Sequence, residues 1–166
     1  VNHLQPLLFD INSEVCQQAI LAMGCMRDDS AIKALFNILK VKYAPLFLKQ
    51  EAVRALNWSN NFIALDYLKS CLYSSDITLI QEIITVLGRQ ESTELKSYAT
   101  EILIEFLNSE QEITYQSQIK QLVATSLGEL GNLRALAHLE KLADDDNSKV
   151  RLYSKAAIKK VNSQQQ

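Results

Sequence analysis

The chain has 166 residues, 48% of them apolar and 22% charged, with a formal net charge of −2. This composition is globular, and it lacks the basic excess with which a general polyanion binder displaces counterions. Four Gly and two Pro are too few for a β-rich or loop-rich fold, while Leu, Ala, Ile, Glu, Gln and Lys favour helix.

Leu4, Leu7 and Leu8 come first and read as the end of a helix. Asn12-Ser13-Glu14-Val15 then supplies a capping residue before a helical face that the chain writes five times. The first copy is Val15, Ala19, Ala22, Met23 and Gly24, and the second is Leu48, Ala52, Ala55, Leu56 and Asn57. The third is Leu79, Ile83, Val86, Leu87 and Gly88, and the fourth is Ile119, Val123, Ser126, Leu127 and Gly128. The fifth is Val150, Ser154, Ala157, Ile158 and Lys159. Successive copies are offset by 33, 31, 40 and 31 residues. Such a period means stacked supersecondary units, none able to bury its apolar face alone.

Each copy lies on a first helix (A), and the first four are followed by a second (B). Eleven residues beyond Gly24, Asn57, Gly88 and Gly128 stand Leu35, Leu68, Ala99 and Leu139, and four further on stand Leu39, Leu72, Leu103 and Ala143. With Ile32, Leu65 and Leu136 in the preceding turn, these give the i, i+3, i+4, i+7 spacing of amphipathic helices. The spacing predicts A helices near 13–24, 46–57, 77–89, 116–129 and 149–161, and B helices near 31–41, 61–73, 93–108 and 133–143.

The punctuation fits this phasing. Ser75-Asp76 and Asn147-Ser148 precede A helices as caps, and Pro45 falls in a first turn, where proline is tolerated. Gly24, Gly88 and Gly128 are expected to end A helices as left-handed C′ residues. Met26-Arg27-Asp28-Asp29-Ser30 and Gly131-Asn132 read as short A–B turns that make the helices antiparallel neighbours. Lys42-Tyr43-Ala44 lengthens one linker slightly. The run from Asn108 to Thr114 accounts for the 40-residue offset as a longer B helix plus a loop, the loop either a tolerated surface insertion or a functional one. The chain thus starts at Val1 on the end of a B helix without its A helix, which reads as a cut or reduced N-terminus. The polar tail Ser163-Gln164-Gln165-Gln166 reads as a natural end.

The wording of these repeats is similar to the short HEAT-like repeat named after phycobilisome lyases. The resemblance is carried by Leu127-Gly128-Glu129-Leu130-Gly131-Asn132 with Val150-Arg151, by Glu14–Gly24 with Ala31-Ile32-Lys33-Ala34-Leu35, and by Gln50-Glu51-Ala52-Val53-Arg54-Ala55-Leu56. It spans nearly the whole chain as degenerate copies. It implies one all-α domain over residues 1–166, a right-handed α-solenoid of antiparallel helix pairs (a HEAT-like or armadillo-like superhelix) with B helices lining the concave side. It implies protein–protein binding more strongly than chemistry. Some members of this group attach or remove bilin chromophores on phycobiliproteins, but a fold does not transfer an activity.

Residues that carry chemistry are sparse. His3 and His138 form no ligand pattern, and neither a phosphate-binding glycine loop nor a nucleophile elbow is present. Catalytic residues, bound metal and cofactor are all expected to be absent. Asp144-Asp145-Asp146 reads as helix-dipole compensation and a partner for Arg151 rather than a calcium site. Cys16, Cys25 and Cys71 lie on apolar faces and are expected as buried, reduced thiols of a cytoplasmic protein. No segment approaches the ~20 apolar residues of a membrane span, and no signal peptide opens the chain.

A binding face is sought among B-helix positions outside the core stripe. One column reads Ala34, Tyr67, Tyr98, His138, and the next reads Asn37, Ser70, Glu101, Lys141. Tyr67 and Tyr98 are partner anchors or edge-of-core packing; Trp58 is a turn filler or an exposed hot spot. From Asn61 to Gln118 nine acids face three bases, a net of −6, and from Leu133 onward seven bases face four acids, a net of +3. The acidic middle either steers a basic partner or is ordinary solvated surface. The candidate partner-binding residues are therefore Tyr67, Tyr98, His138, Asn37, Glu101, Lys141 and Trp58. The expected function is a non-enzymatic module binding a protein or peptide, without nucleic acid or membrane. The alternative, from the resemblance, is a phycobilin lyase-type or phycobiliprotein-handling protein, whose partner would be a bilin or a phycobiliprotein.

Overall fold

The computed structural model describes residues 1–74 and 76–166. Its ordered elements are a 3-10 turn at Gln5–Phe9 and nine α-helices among the described residues: α1 (Ser13–Met26), α2 (Asp29–Lys40), α3 (Leu46–Trp58), α4 (Phe62–Leu72), α5 (Ile77–Leu87), α6 (Thr93–Leu107), α7 (Ser117–Leu130), α8 (Leu136–Ala143) and α9 (Ser148–Ser163). Odd-numbered helices are the predicted A set and even-numbered ones the B set. The described residues divide into two compact units, Val1–Ile83 and Ile84–Gln166, with the division inside α5.

Short polar side chains start the helices. Asn12 Oδ1 accepts from Glu14 N–H at 2.9 Å, and Asn147 Oδ1 from Lys149 and Val150 N–H at 3.0 and 3.2 Å. Asp28, Asn61 and Ser92 cap α2, α4 and α6 in the same way. Asp76 Oδ1 accepts from Leu79 N–H at 3.0 Å; Ser75 of the predicted Ser75-Asp76 pair lies outside the described residues. Each cap satisfies an amide that the first helical turn leaves unpaired.

In the first unit α1 packs on α3 and α2, and α2 packs on α3 and α4. Ile20, Met23, Ile32, Leu35, Leu56 and Leu68 are completely buried between them. In the second unit α9 packs on α7 and α8, and α6 on α7, around Leu103, Phe106, Val123, Leu127, Leu139 and Val150. Repeat-column residues supply most of this core, because only the shared face is shielded on both sides.

The glycines do a different job from the one expected. Gly24 lies inside α1 and Gly128 inside α7, and neither they nor Gly88 has a positive φ. They mark the closest approach of successive A helices. A Cβ on Gly24 would lie 3.0 Å from Ala55 Cβ, one on Gly88 2.8 Å from Ser126 Cβ, and one on Gly128 2.9 Å from Ala157 Cα. The partner in every case is the small residue two positions before the glycine column of the next copy. The left-handed residues that end α1 and α7 come three positions later, at Arg27 (φ 54°) and Gly131 (φ 66°).

Three smaller expectations also change. Cys16 and Cys71 are buried, but Cys25 is exposed, since it follows Gly24 onto the outer side of the last turn of α1. Arg151 donates to the main-chain carbonyls of Asp145 and Asp146, both at 2.8 Å, rather than to the aspartate carboxylates. The Asp145 carboxylate is taken by Lys120 Nζ at 2.6 Å. The inserted run leads into a 3-10 turn at Glu112–Tyr115 that buries Thr114, and another, Leu133–Ala135, precedes α8.

Candidate functional site on the B helices

The two B-helix columns separate by exposure. Ala34 is buried, Tyr67, Tyr98 and His138 are half-buried, and Asn37, Ser70, Glu101 and Lys141 are exposed. The geometry follows from the helices. The first column flanks the core stripe, and the second lies three residues on, turned further toward solvent.

In the first unit Tyr67 of α4 stacks on Phe36 of α2, with ring centroids 4.0 Å apart and planes 9° from parallel. Lys40, one turn beyond Phe36, places Nζ 4.3 Å from the Phe36 ring centroid. Asn37 follows Phe36 on the exposed side of α2. Beside the aromatic pair opens a cleft of about 640 Å³ lined by Phe36, Leu39, Lys40, Lys42, Lys49, Ser70, Cys71 and Ser74. Burial pushes the Cys71 thiol above its usual range despite the nearby charges of Lys40 and Lys49, which makes it a poor nucleophile at neutral pH.

In the second unit Glu101 of α6 pairs with Arg134 at 2.5 Å. Asn108 Nδ2 lies 3.5 Å from His138 Nδ1. These contacts tie the α6 face to the start of α8. Tyr98 and Lys141 lie on the same two helices.

Trp58 is not on this face. It is the last residue of α3, an A helix, and is 48% exposed at the turn into α4, where Phe62 and Ile63 are also exposed. Sequence reasoning passed over Phe36 and the lysines of the cleft. The readable signal was three lysines, at 40, 42 and 49, within ten residues, following an aromatic four positions before the first.

No family model matches the chain, and no curated protein matches it. Among solved structures it is similar to a chain of the complex of CpcE and CpcF of phycocyanin lyase from Nostoc sp. PCC7120, at 20% identity and a TM-score of 0.63, over 96% of this chain and 64% of that one. The chain therefore spans just under two thirds of that neighbour's length. It also resembles an engineered protein, at 21% identity and a TM-score of 0.49 over 96% of this chain and 78% of that one. Human deoxyhypusine hydroxylase in complex with glycerol gives 14% identity and a TM-score of 0.42, over 96% and 83% of the two chains. The first likeness, with the all-helical described residues and their repeated A–B pairs, defines an α-solenoid fold of antiparallel helix pairs. Among the described residues no helix is long and apolar enough to cross a membrane.

Proposed function

We propose that this chain is a non-enzymatic interaction module, a single repeat domain that binds a protein or peptide along its B-helix face. The observation that carries the reading is the likeness to a lyase chain that was solved in complex with a second subunit. The B helices of each unit supply what a binding face needs, an aromatic with a polar tip beside exposed polar residues: Tyr67 with Asn37 in the first unit, and Tyr98 with Glu101 and Lys141 in the second. A cytoplasmic setting belongs to this reading and is supported by three free thiols. The test is a pull-down from native extract with the wild type and a Tyr67→Ala/Tyr98→Ala variant. Loss of a partner in the variant is expected. Equal recovery of every partner rejects the face.

A second reading, handling of a bilin or a phycobiliprotein, is supported by the likeness to a chain of phycocyanin lyase. It predicts that the purified chain shifts the visible absorption of an added bilin or co-elutes with a phycobiliprotein subunit on gel filtration. A flat result with both removes it.

A further inference from the structure

We propose that the cleft beside Phe36 and Tyr67 is a docking site for an acidic segment of a partner protein, a short run of carboxylates carrying an apolar or aromatic residue. This deepens the B-helix reading above and rests on it. Lys40, Lys42 and Lys49 converge on one opening of about 640 Å³, and no carboxylate among the described residues lines it. The chain as a whole is slightly acidic, so a cleft holding three cations without a lining acid is a local departure from the average. Lys40 rests over the Phe36 ring and Lys42 lies 5.6 Å from the Tyr43 ring centroid. Both ammonium groups are thus held against aromatic faces that stabilise them without neutralising them.

The geometry also selects the ligand class. A nucleic-acid contact draws its affinity from many phosphates along a basic stripe, and three lysines at one cleft do not make one. A single small anion would meet exposed ammonium groups in high dielectric, where each contact is weak. A segment with several carboxylates engages all three at once and pays its ordering entropy only once. Phe36, clamped between Tyr67 and Lys40, and Leu39 beside it give the apolar residue a rigid wall, and the Ser70 and Ser74 oxygens, whose hydroxyls already donate to main-chain carbonyls, offer acceptors at the rim.

The experiment titrates the full chain into a fluorescein-labelled peptide of eight glutamates around a central tryptophan, followed by anisotropy. A matched glutamine peptide and a single-stranded oligonucleotide of similar length serve as comparisons. In low salt the glutamate peptide is expected to bind roughly tenfold tighter than the glutamine peptide, and the difference is expected to fade as salt shortens the screening length. Lys40→Gln/Lys42→Gln/Lys49→Gln, whose substitutions lie on side chains that form no core, is expected to abolish the preference while keeping the wild-type circular dichroism and a cooperative thermal transition, lowered by only a few degrees by the loss of two cation–π contacts. Tyr67→Ala should weaken the tryptophan peptide more than a version with serine in place of tryptophan. Equal binding of the glutamate peptide to wild type and the triple variant overturns the proposal, as does tighter binding of the oligonucleotide than of the peptide. Failure here with a Tyr67- and Tyr98-dependent pull-down leaves the B-helix face standing. An unchanged pull-down with lysine-dependent peptide binding rejects the broader face and keeps the cleft.

Discussion

Replacing Gly128 by Ala sets two effects of known sign against each other. Inside a helix the change is worth about 1 kcal/mol in favour of folding, because Ala orders at lower entropic cost than Gly. Here the new Cβ would sit 2.9 Å from both Cα and Cβ of Ala157, whereas ordinary contact lies at 3.4–4 Å. These are main-chain and first side-chain atoms of α9, so the clash is not relieved by swinging a flexible tip. α7 and α9 must part by roughly 0.5–1 Å, a gap that forfeits a quarter to a half of the attraction at each contact along the seam. Overpacking of this kind costs about 1–3 kcal/mol. The net expectation is a loss of about 0–2 kcal/mol, centred near 1, read as a lower urea midpoint at unchanged m-value. Hydrogen exchange should locate the loss in α7 and α9 and spare α1. Gly131 provides the contrast. With φ at 66° it tolerates Asn better than Ala, since Asn enters the left-handed region more readily; at Gly128 the longer Asn side chain should be worse than Ala. A Gly128→Ala variant more stable than wild type, showing the helix-propensity gain unopposed, would refute the close-approach argument.

Further outcomes follow from the same contacts. Leu127→Ala, at a completely buried position, should cost ~2–5 kcal/mol in chemical denaturation, and half-buried Ile158→Ala should cost clearly less. Asn147→Ala removes an acceptor for two amides of α9 and should cost ~1 kcal/mol, with fraying seen by hydrogen exchange at Lys149 and Val150. Partial burial opposes ionisation of Asp145, but the Lys120 hydrogen bond, the Asn147 N–H and the charges of Lys120 and Arg151 outweigh it and hold the carboxyl below its usual range. A folded pKa below the unfolded one gives stability that is complete above the unfolded value of about 3.9 and lost as pH falls through the folded value. Lys120→Met should therefore lower the urea midpoint at neutral pH, and the difference from wild type should vanish in strong acid.

Helices were legible in the sequence because each is written several times. The A-helix position of Met23, Leu56, Leu87 and Leu127 is completely buried in those four copies, so a chance apolar residue in one copy is outvoted by the others. Caps were legible for a similar reason: Asn12 and Asn147 stand at the same phase and make the same bond. The glycines were misread because a glycine near a helix end has two physical uses. One is a left-handed turn and the other is room for a neighbouring helix, and only the partner, Ala55, Ser126 or Ala157, tells them apart. Those partners stand in the third column of the repeat. Their smallness at Ala55, Ser126 and Ala157 was the missed signal, since a large side chain there would have excluded the packing that the glycines permit.

The binding face resisted for a different reason, and the repeat grammar itself explains it. Reading columns compares residues at the same offset from the glycine position, and core packing obeys that rule because each unit buries the same stripe. Contacts between side chains on neighbouring B helices do not obey it. Tyr67 stands ten residues after Asn57, but its stacking partner Phe36 stands twelve after Gly24, while the offset-ten residue of that copy is buried Ala34. Glu101 stands thirteen after Gly88 and meets Arg134, six after Gly128. Both contacts pair unlike offsets, so a column that looks like a surface can be half core at Ala34 and half ring stack at Tyr67. The lysine cleft is a still plainer case, because Lys40 closes a B helix, Lys42 sits in the linker and Lys49 belongs to the next A helix. Three residues with three unrelated offsets leave no periodic trace, and only the folded chain brings their charges to one opening.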